Sequence, residues 1–159
     1  MTREYARGLR GERVQGHTPR NRGTVTTMLG AMGLDGIRAM MTVEGATDAE
    51  VFEAFVTHLL VPKLKPGNIV VLDNVGAHKP EGALARIRAA GARVLFLPPY
   101  SPDLNPIELA WSKVKALLKK FEALTVAALD AAIAKATELI TPEDARGWFE
   151  HCGYSAQPE

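Results

Sequence analysis

The 159-residue chain has a single cysteine, Cys152, and cannot close a disulfide within itself. Aromatic residues are scarce at 6%, and neither sign of charge prevails: 19 Lys and Arg face 18 Asp and Glu, a net +1. No apolar run is long enough to cross a bilayer, and none near the start reads as an export signal. These shortages exclude a disulfide scaffold and a membrane span. The lone thiol makes the cytoplasm the expected compartment. What remains, 47% hydrophobic and 23% charged residues, is ordinary globular composition, and the length suits one domain with a real core.

The near-neutral total hides an asymmetry. Residues 1–22 carry six arginines (Arg3, Arg7, Arg10, Arg13, Arg20 and Arg22) against Glu4 and Glu12, a local +4, and the rest of the chain carries −3. A basic arm over residues 1–23, without apolar periodicity, suits phosphate contacts through Arg3, Arg7, Arg10 and Arg13. A solvated leader is the bland alternative.

Beyond the arm, residues 24–159 read as one α/β domain. Thr24 to Met32 and Ile37 to Val43 flank an Asp-Gly turn and predict a hairpin. Thr47 and Glu50 predict a capping box opening a helix that Pro62 ends. Ile69-Val70-Val71-Leu72 and Val94-Leu95-Phe96-Leu97 are short apolar runs of the kind found in buried parallel strands. A helix over 80–90 separates them. Further helices are expected from Pro106 to about Phe121, from Thr125, and from Thr141-Pro142 to about Glu150. That order predicts a mixed sheet flanked by helices.

Two carboxylates stand out by position. Asp73 closes a buried strand, and ligand sites of open α/β sheets gather at the carboxyl ends of strands. An Asx turn at Asp73 or Asn74 is the structural alternative. Glu108 lies three residues after Asn105, where it could close a capping box. At ~100° per residue, however, Glu108, Ser112, Lys115 and Lys119 share one flank of the helix, beside a core stripe of Ile107, Trp111, Val114, Leu118 and Phe121. An acid followed by Lys115 and Lys119 suits a metal site beside a phosphate track. A solvated charged face is the alternative. His17, His58 and His151 show no ligand spacing, and Asp103 reads as a turn former.

Leu72-Asp73-Asn74-Val75-Gly76-Ala77-His78 resembles the second-aspartate motif of insertion-sequence transposases related to the Tc/mariner family. The segment Leu97-Pro98-Pro99-Tyr100-Ser101-Pro102-Asp103-Leu104-Asn105-Pro106-Ile107-Glu108 resembles their third-carboxylate motif. Between Asp73 and Glu108 lie 34 residues, the spacing typical of that family. The hairpin and the segment from Trp148 to Tyr154 are similar as well. The resemblance implies a ribonuclease-H-like catalytic domain whose three carboxylates hold two Mg²⁺ (or Mn²⁺) ions for cleavage and strand transfer of double-stranded DNA, at transposon ends and at the target. It assigns Asp73 and Glu108 as metal ligands. It gives His78 a positioning or phosphate-contacting role and lets Tyr100 and Ser101 shape the active-site loop, with plain turn chemistry favoured for Ser101.

One part of the family pattern is missing. Relatives carry a first aspartate on a central strand upstream of the hairpin, and Met1 falls just downstream of that point. Glu4, Glu12 and Asp35 follow no buried strand and do not replace it. The helix-turn-helix region that precedes it in relatives is missing too. The expectation is therefore a partial domain, lacking the first, central strand and inactive by itself. An N-terminal transposase polypeptide supplying that strand, or a homodimer, would be its partner. The alternatives are a catalytically dead DNA-binding fragment that inhibits full-length transposase, and a nuclease-like fold with no nucleic-acid role.

Overall fold

The computed structural model describes residues 7, 9–11, 25–74, 80–123 and 125–155. The expected basic arm therefore lies almost wholly outside the described residues; of its candidates, Arg7 and Arg10 are described and both are exposed.

The hairpin pairs β1 (Thr26–Gly33) with β2 (Gly36–Glu44) in antiparallel register. Leu34 and Asp35 form the turn, and Gly36 takes the positive φ (+115°) that a tight hairpin turn needs. The register jumps once: Ala31 faces Ala39 and Met32 faces Ile37, so Arg38 is an extra residue in β2. A strand alternates faces with period two, and one inserted residue reverses the phase. Ile37 and Met40 thereby join Met28 and Met32 on one face, while Ala39 and Met41 join Leu29 and Ala31 on the other.

Each face meets its own core. The first core gathers Phe52 and Phe55 of α1 (Ala49–Phe55), Val56 and Leu60 of the π-type turn that continues it, and Ala83 and Ile87 of α2 (Glu81–Ala89). The second is built by Ala110, Val114 and Leu118 of α3 (Pro106–Phe121) with Ala132, Ile133 and Ala136 of α4 (Val126–Glu138). Trp148 of α5 (Pro142–His151) packs against it. The hairpin is thus sandwiched, and the expected stripe on α3 lies inward, with Ile107, Trp111 and Phe121 half-buried at its margin. No helix among the described residues is long and apolar enough to cross a membrane.

Two local expectations shift. Asp48, not Thr47, caps α1: its carboxylate accepts the Val51 N–H at 2.9 Å, while Thr47 Oγ1 is buried without a partner among the described residues. Pro62 does not stop the helix but sits in a 3₁₀ turn (Val61–Lys63), where proline at the first turn loses no hydrogen bond.

The sheet stands in two pieces. Strands β3 (Ile69–Leu72) and β4 (Arg93–Phe96) pair in parallel, as the apolar runs predict. Among the described residues they do not pair with the hairpin, and the two two-stranded sheets are the division expected where the central strand is lacking. Nor are β3 and β4 buried on both faces. Val70, Leu72 and Val94 pack on the first core, while Ile69 and Leu95 on the opposite face are each 52% exposed. A run that is apolar on both faces gives no sign that only one is covered.

Candidate active site

The end of β3 and the loop after β4 leave the sheet side by side. The Leu97 N–H donates to the Leu72 carbonyl at 2.8 Å, extending the parallel ladder one step past both strands. Pro98 and Pro99 follow, and with no N–H to donate they end the ladder there. Asp73 therefore emerges at the carboxyl end of β3 directly beside the Pro98-Pro99 segment. A groove of about 370 Å³ opens at that point. Its floor and walls include Asp73, Asn74, Pro98, Tyr100, Asn105 and Glu108.

The chain then turns back toward α3. Tyr100 adopts a left-handed backbone (φ +57°), and the Ser101 hydroxyl donates to the Pro99 carbonyl at 3.3 Å. A 3₁₀ turn, Pro102–Leu104, delivers Asn105 to the start of α3. Pro106 is buried at the first helical position, where its fixed φ favours the helix and its missing N–H costs nothing. A tether from the far end of the chain holds this turn: the Tyr154 hydroxyl donates to the Leu104 carbonyl at 2.8 Å. The Tyr154 ring meets Phe149 edge-on at 5.7 Å. Burial pushes the Tyr154 hydroxyl above the usual phenol range, so it remains a donor at neutral pH.

Asn105 and Glu108 have the spacing of a capping box but do not form one. Asn105 makes no side-chain cap bond, and Glu108 is exposed with no side-chain hydrogen bond or ion pair among the described residues. The carboxylate instead borders the groove, in the first turn of α3, where the helix dipole favours negative charge. The contrast lies in α5, where Thr141 and Asp144 make the full reciprocal box.

The structure thus brings Asp73 and Glu108 into one groove. His78, Arg3 and Arg13 lie outside the described residues. Lys115 and Lys119 are exposed along the α3 flank that begins at Glu108. His58 and His151 are exposed and lie apart from the groove lining. Cys152 is buried; burial first, then the Asp103 carboxylate, push its thiol up. Sequence reasoning missed Asn105 as a groove residue and Tyr154 as the tether. Nothing in local sequence tells a cap that is made from one that is not, or a tyrosine that reaches across 50 residues.

The donor set is chemically hard. Carboxylates from Asp73 and Glu108 and amide oxygens from Asn74 and Asn105 suit a divalent cation of the Mg²⁺ type. Among the described residues, however, no three His, Cys, Asp or Glu side chains converge to hold a metal.

Residues 1–129 match the family described as DDE superfamily endonuclease. Such endonucleases generally use divalent metal ions. Among solved structures, the chain is similar to a crystal structure of the Mos1 strand transfer complex, with a TM-score of 0.52 and 18% identity. The likeness covers 98% of this chain and 52% of that one, so this chain spans about half the length of its structural neighbour. At that identity the likeness speaks for the fold, a ribonuclease-H-like α/β arrangement. No curated protein matches the chain. With 129 of its 159 residues matched, the chain belongs to the DDE superfamily endonucleases.

Proposed function

We propose that this chain is the catalytic-domain part of a bacterial insertion-sequence transposase, acting on double-stranded DNA by metal-dependent cleavage and strand transfer. The observation that carries the reading is the meeting of Asp73 and Glu108, with 34 residues between them in sequence, at one groove formed by β3 and α3. Asp73 and Glu108 would hold Mg²⁺ or Mn²⁺. Bound there, the metal would activate a water or a 3′-hydroxyl and neutralise charge developing at a DNA phosphodiester. The chain's own contribution is placement. The rigid end of β3 fixes Asp73, the first turn of α3 fixes Glu108, and Lys115 and Lys119 continue from Glu108 as a track for phosphates. The arginines of the arm, Arg3, Arg7, Arg10 and Arg13, add sequence-independent grip, and His78 follows Asp73 closely enough to position a phosphate.

Two carboxylates make an incomplete two-ion site, and we infer that the chain alone has little or no cleavage activity. The edges of β1 and β3, unpaired among the described residues, would accept a further strand carrying the first aspartate, from an N-terminal transposase polypeptide or within a homodimer. The expected location is the cytoplasm, on the nucleoid when DNA-bound.

The test is metal-dependent nicking of labelled element-end DNA, with and without a polypeptide supplying that strand. Expected are salt-dependent DNA binding by the chain alone, cleavage only on complementation, and loss of cleavage in Asp73→Asn and Glu108→Gln. Rapid turnover by the chain alone would overturn the incompleteness. DNA binding without cleavage under any complementation, unchanged in both variants, would favour a DNA-binding inhibitor instead.

A further inference from the structure

Tyr100 differs from every other residue of the groove. Its side chain is fully exposed, at 102% of its reference surface, although it carries a large aromatic ring. It also holds φ at +57°, a conformation that costs an L-residue energy and that glycine would adopt freely. The other non-glycine residue with positive φ among those described is Glu122, just past the end of α3, where a left-handed residue is an ordinary helix stop. Tyr100 ends no helix. Among the described residues its hydroxyl has no hydrogen-bond partner and its ring no aromatic one. Among the described residues nothing local repays the strained backbone or the wet ring. Pro98, Pro99 and Pro102, each with a fixed φ, hold this loop stiff, so the ring stands at the groove edge with little freedom to lose on binding. Strain of this kind concentrates where a ligand is handled.

The neighbours narrow the ligand. Asp73 and Glu108 make this groove locally acidic, so the ring must attract something other than bare negative charge. A nucleobase offers an uncharged π-face, and every base has one. In an intact duplex those faces are covered by neighbouring base pairs, so the ring can reach only a base that is out of the stack.

We propose that Tyr100 is a base-stacking residue, taking the face of an unpaired nucleobase in the strand whose phosphate enters the groove. This rests on the reading of the groove as a DNA site, and it adds a contact to base rather than to phosphate. An apolar side chain of a protein partner is the competing occupant.

The experiment compares the full chain with Tyr100→Phe, Tyr100→Ala and Tyr100→Gly. The probe is a short single strand containing one 2-aminopurine, with the matching blunt duplex as control, over a range of salt. The wild type and Tyr100→Phe should bind the single strand with a change in 2-aminopurine fluorescence. Tyr100→Ala and Tyr100→Gly should bind it about 5- to 160-fold more weakly, the range for losing one base–aromatic stack. Their salt dependence should not change, because no phosphate contact is lost. Tyr100→Gly should keep or raise the melting temperature, since glycine accepts the backbone that tyrosine strains, and a merely structural tyrosine would do the reverse. Unchanged affinity and fluorescence in Tyr100→Ala overturn the inference, and so does a Tyr100→Phe variant as weak as Tyr100→Ala, which would assign the effect to the hydroxyl. Salt-dependent duplex binding without any ring-dependent signal removes this inference and leaves the DNA reading standing. A chain that binds neither probe removes both.

Discussion

Glu108 sits where a carboxylate commonly closes a capping box, and the helix does not use it. In α5 the same spacing is fully engaged: the Asp144 N–H donates to Thr141 Oγ1 at 3.2 Å, and the Thr141 N–H donates back to the Asp144 carboxylate at 2.9 Å. In α3 the helix start is held by buried Pro106 and by the Tyr154 tether on Leu104, which leaves the Glu108 side chain at the groove. Glu108→Gln should therefore change stability by no more than about 0.5 kcal/mol, as at an uninvolved surface site. The same substitution should weaken Mn²⁺ binding roughly tenfold or more, since even outer partners of a metal site cost that much. Calorimetric titration of Mn²⁺ beside a thermal melt separates the two. A capping role would show the reverse pattern, a clear fall in melting temperature with metal binding intact. Asp73→Asn should weaken Mn²⁺ binding to a similar extent, because the two carboxylates face one groove from different elements.

At the scale of elements, stability rests on how α3 is gripped from both sides. Gly30 of β1 lies against Trp111: a Cβ there would stand 2.6 Å from the indole Cη2, closer than real contacts allow. Gly30→Ala should cost about 1–3 kcal/mol by overpacking, read as a shift in denaturation midpoint, and Trp111→Leu should recover part of it. On the opposite side Lys113 of α3 pairs with Asp144 of α5, both about 30% exposed. The hydrogen bond from Lys113, then that from the Thr141 backbone, hold the Asp144 carboxyl below its ordinary 3.8. A lowered folded value stabilises the fold above the ordinary value and loses that contribution as pH falls through the lowered one. Asp144→Ala should thus lower stability by about 1–2 kcal/mol at neutral pH, cap and ion pair together. Its gap from the wild type should narrow only below the ordinary carboxylate range, in melts taken across acidic pH.

These elements differ in how far the sequence disclosed them. The bounds and core stripe of α3 and the start of α4 were legible because proline, a Thr cap and a 3.6-residue apolar period act locally. The pairing of Asp73 with Glu108 was legible through motif spacing. The extra residue Arg38 was not, since a bulge is chosen by which core each face must meet. Nor was the Tyr154 tether, which joins residues 50 apart.

For the whole molecule, the consequential feature is a sheet in two pieces. Strands β1 and β3 both contribute to the first core, through Leu29 and Ala31 on one side and Val70 and Leu72 on the other. Yet each hydrogen-bonds, among the described residues, only to its own neighbour. Each therefore offers a row of backbone donors and acceptors, and Ile69 and Leu95 add a half-exposed apolar face beside the second. Open edges next to apolar surface recruit further strands, from another chain when no other is at hand. The chain should then associate as its concentration rises, with a sedimentation mass climbing above the 17.2 kDa of one chain. Charge on an edge strand is the natural remedy, and its placement matters. Ile69 faces Arg93 across the parallel pair, so lysine there would set like charges together, whereas glutamate makes an opposite-charge pair. Ile69→Glu should hold the chain near the monomer mass over the same concentrations while costing less than about 1 kcal/mol, because the replaced side chain is already 52% exposed. A wild-type chain that stays monomeric throughout would mean that the two edges are closed in solution. Association that persists unchanged in Ile69→Glu would place the sticking surface elsewhere, the edge of β1 being the next to charge.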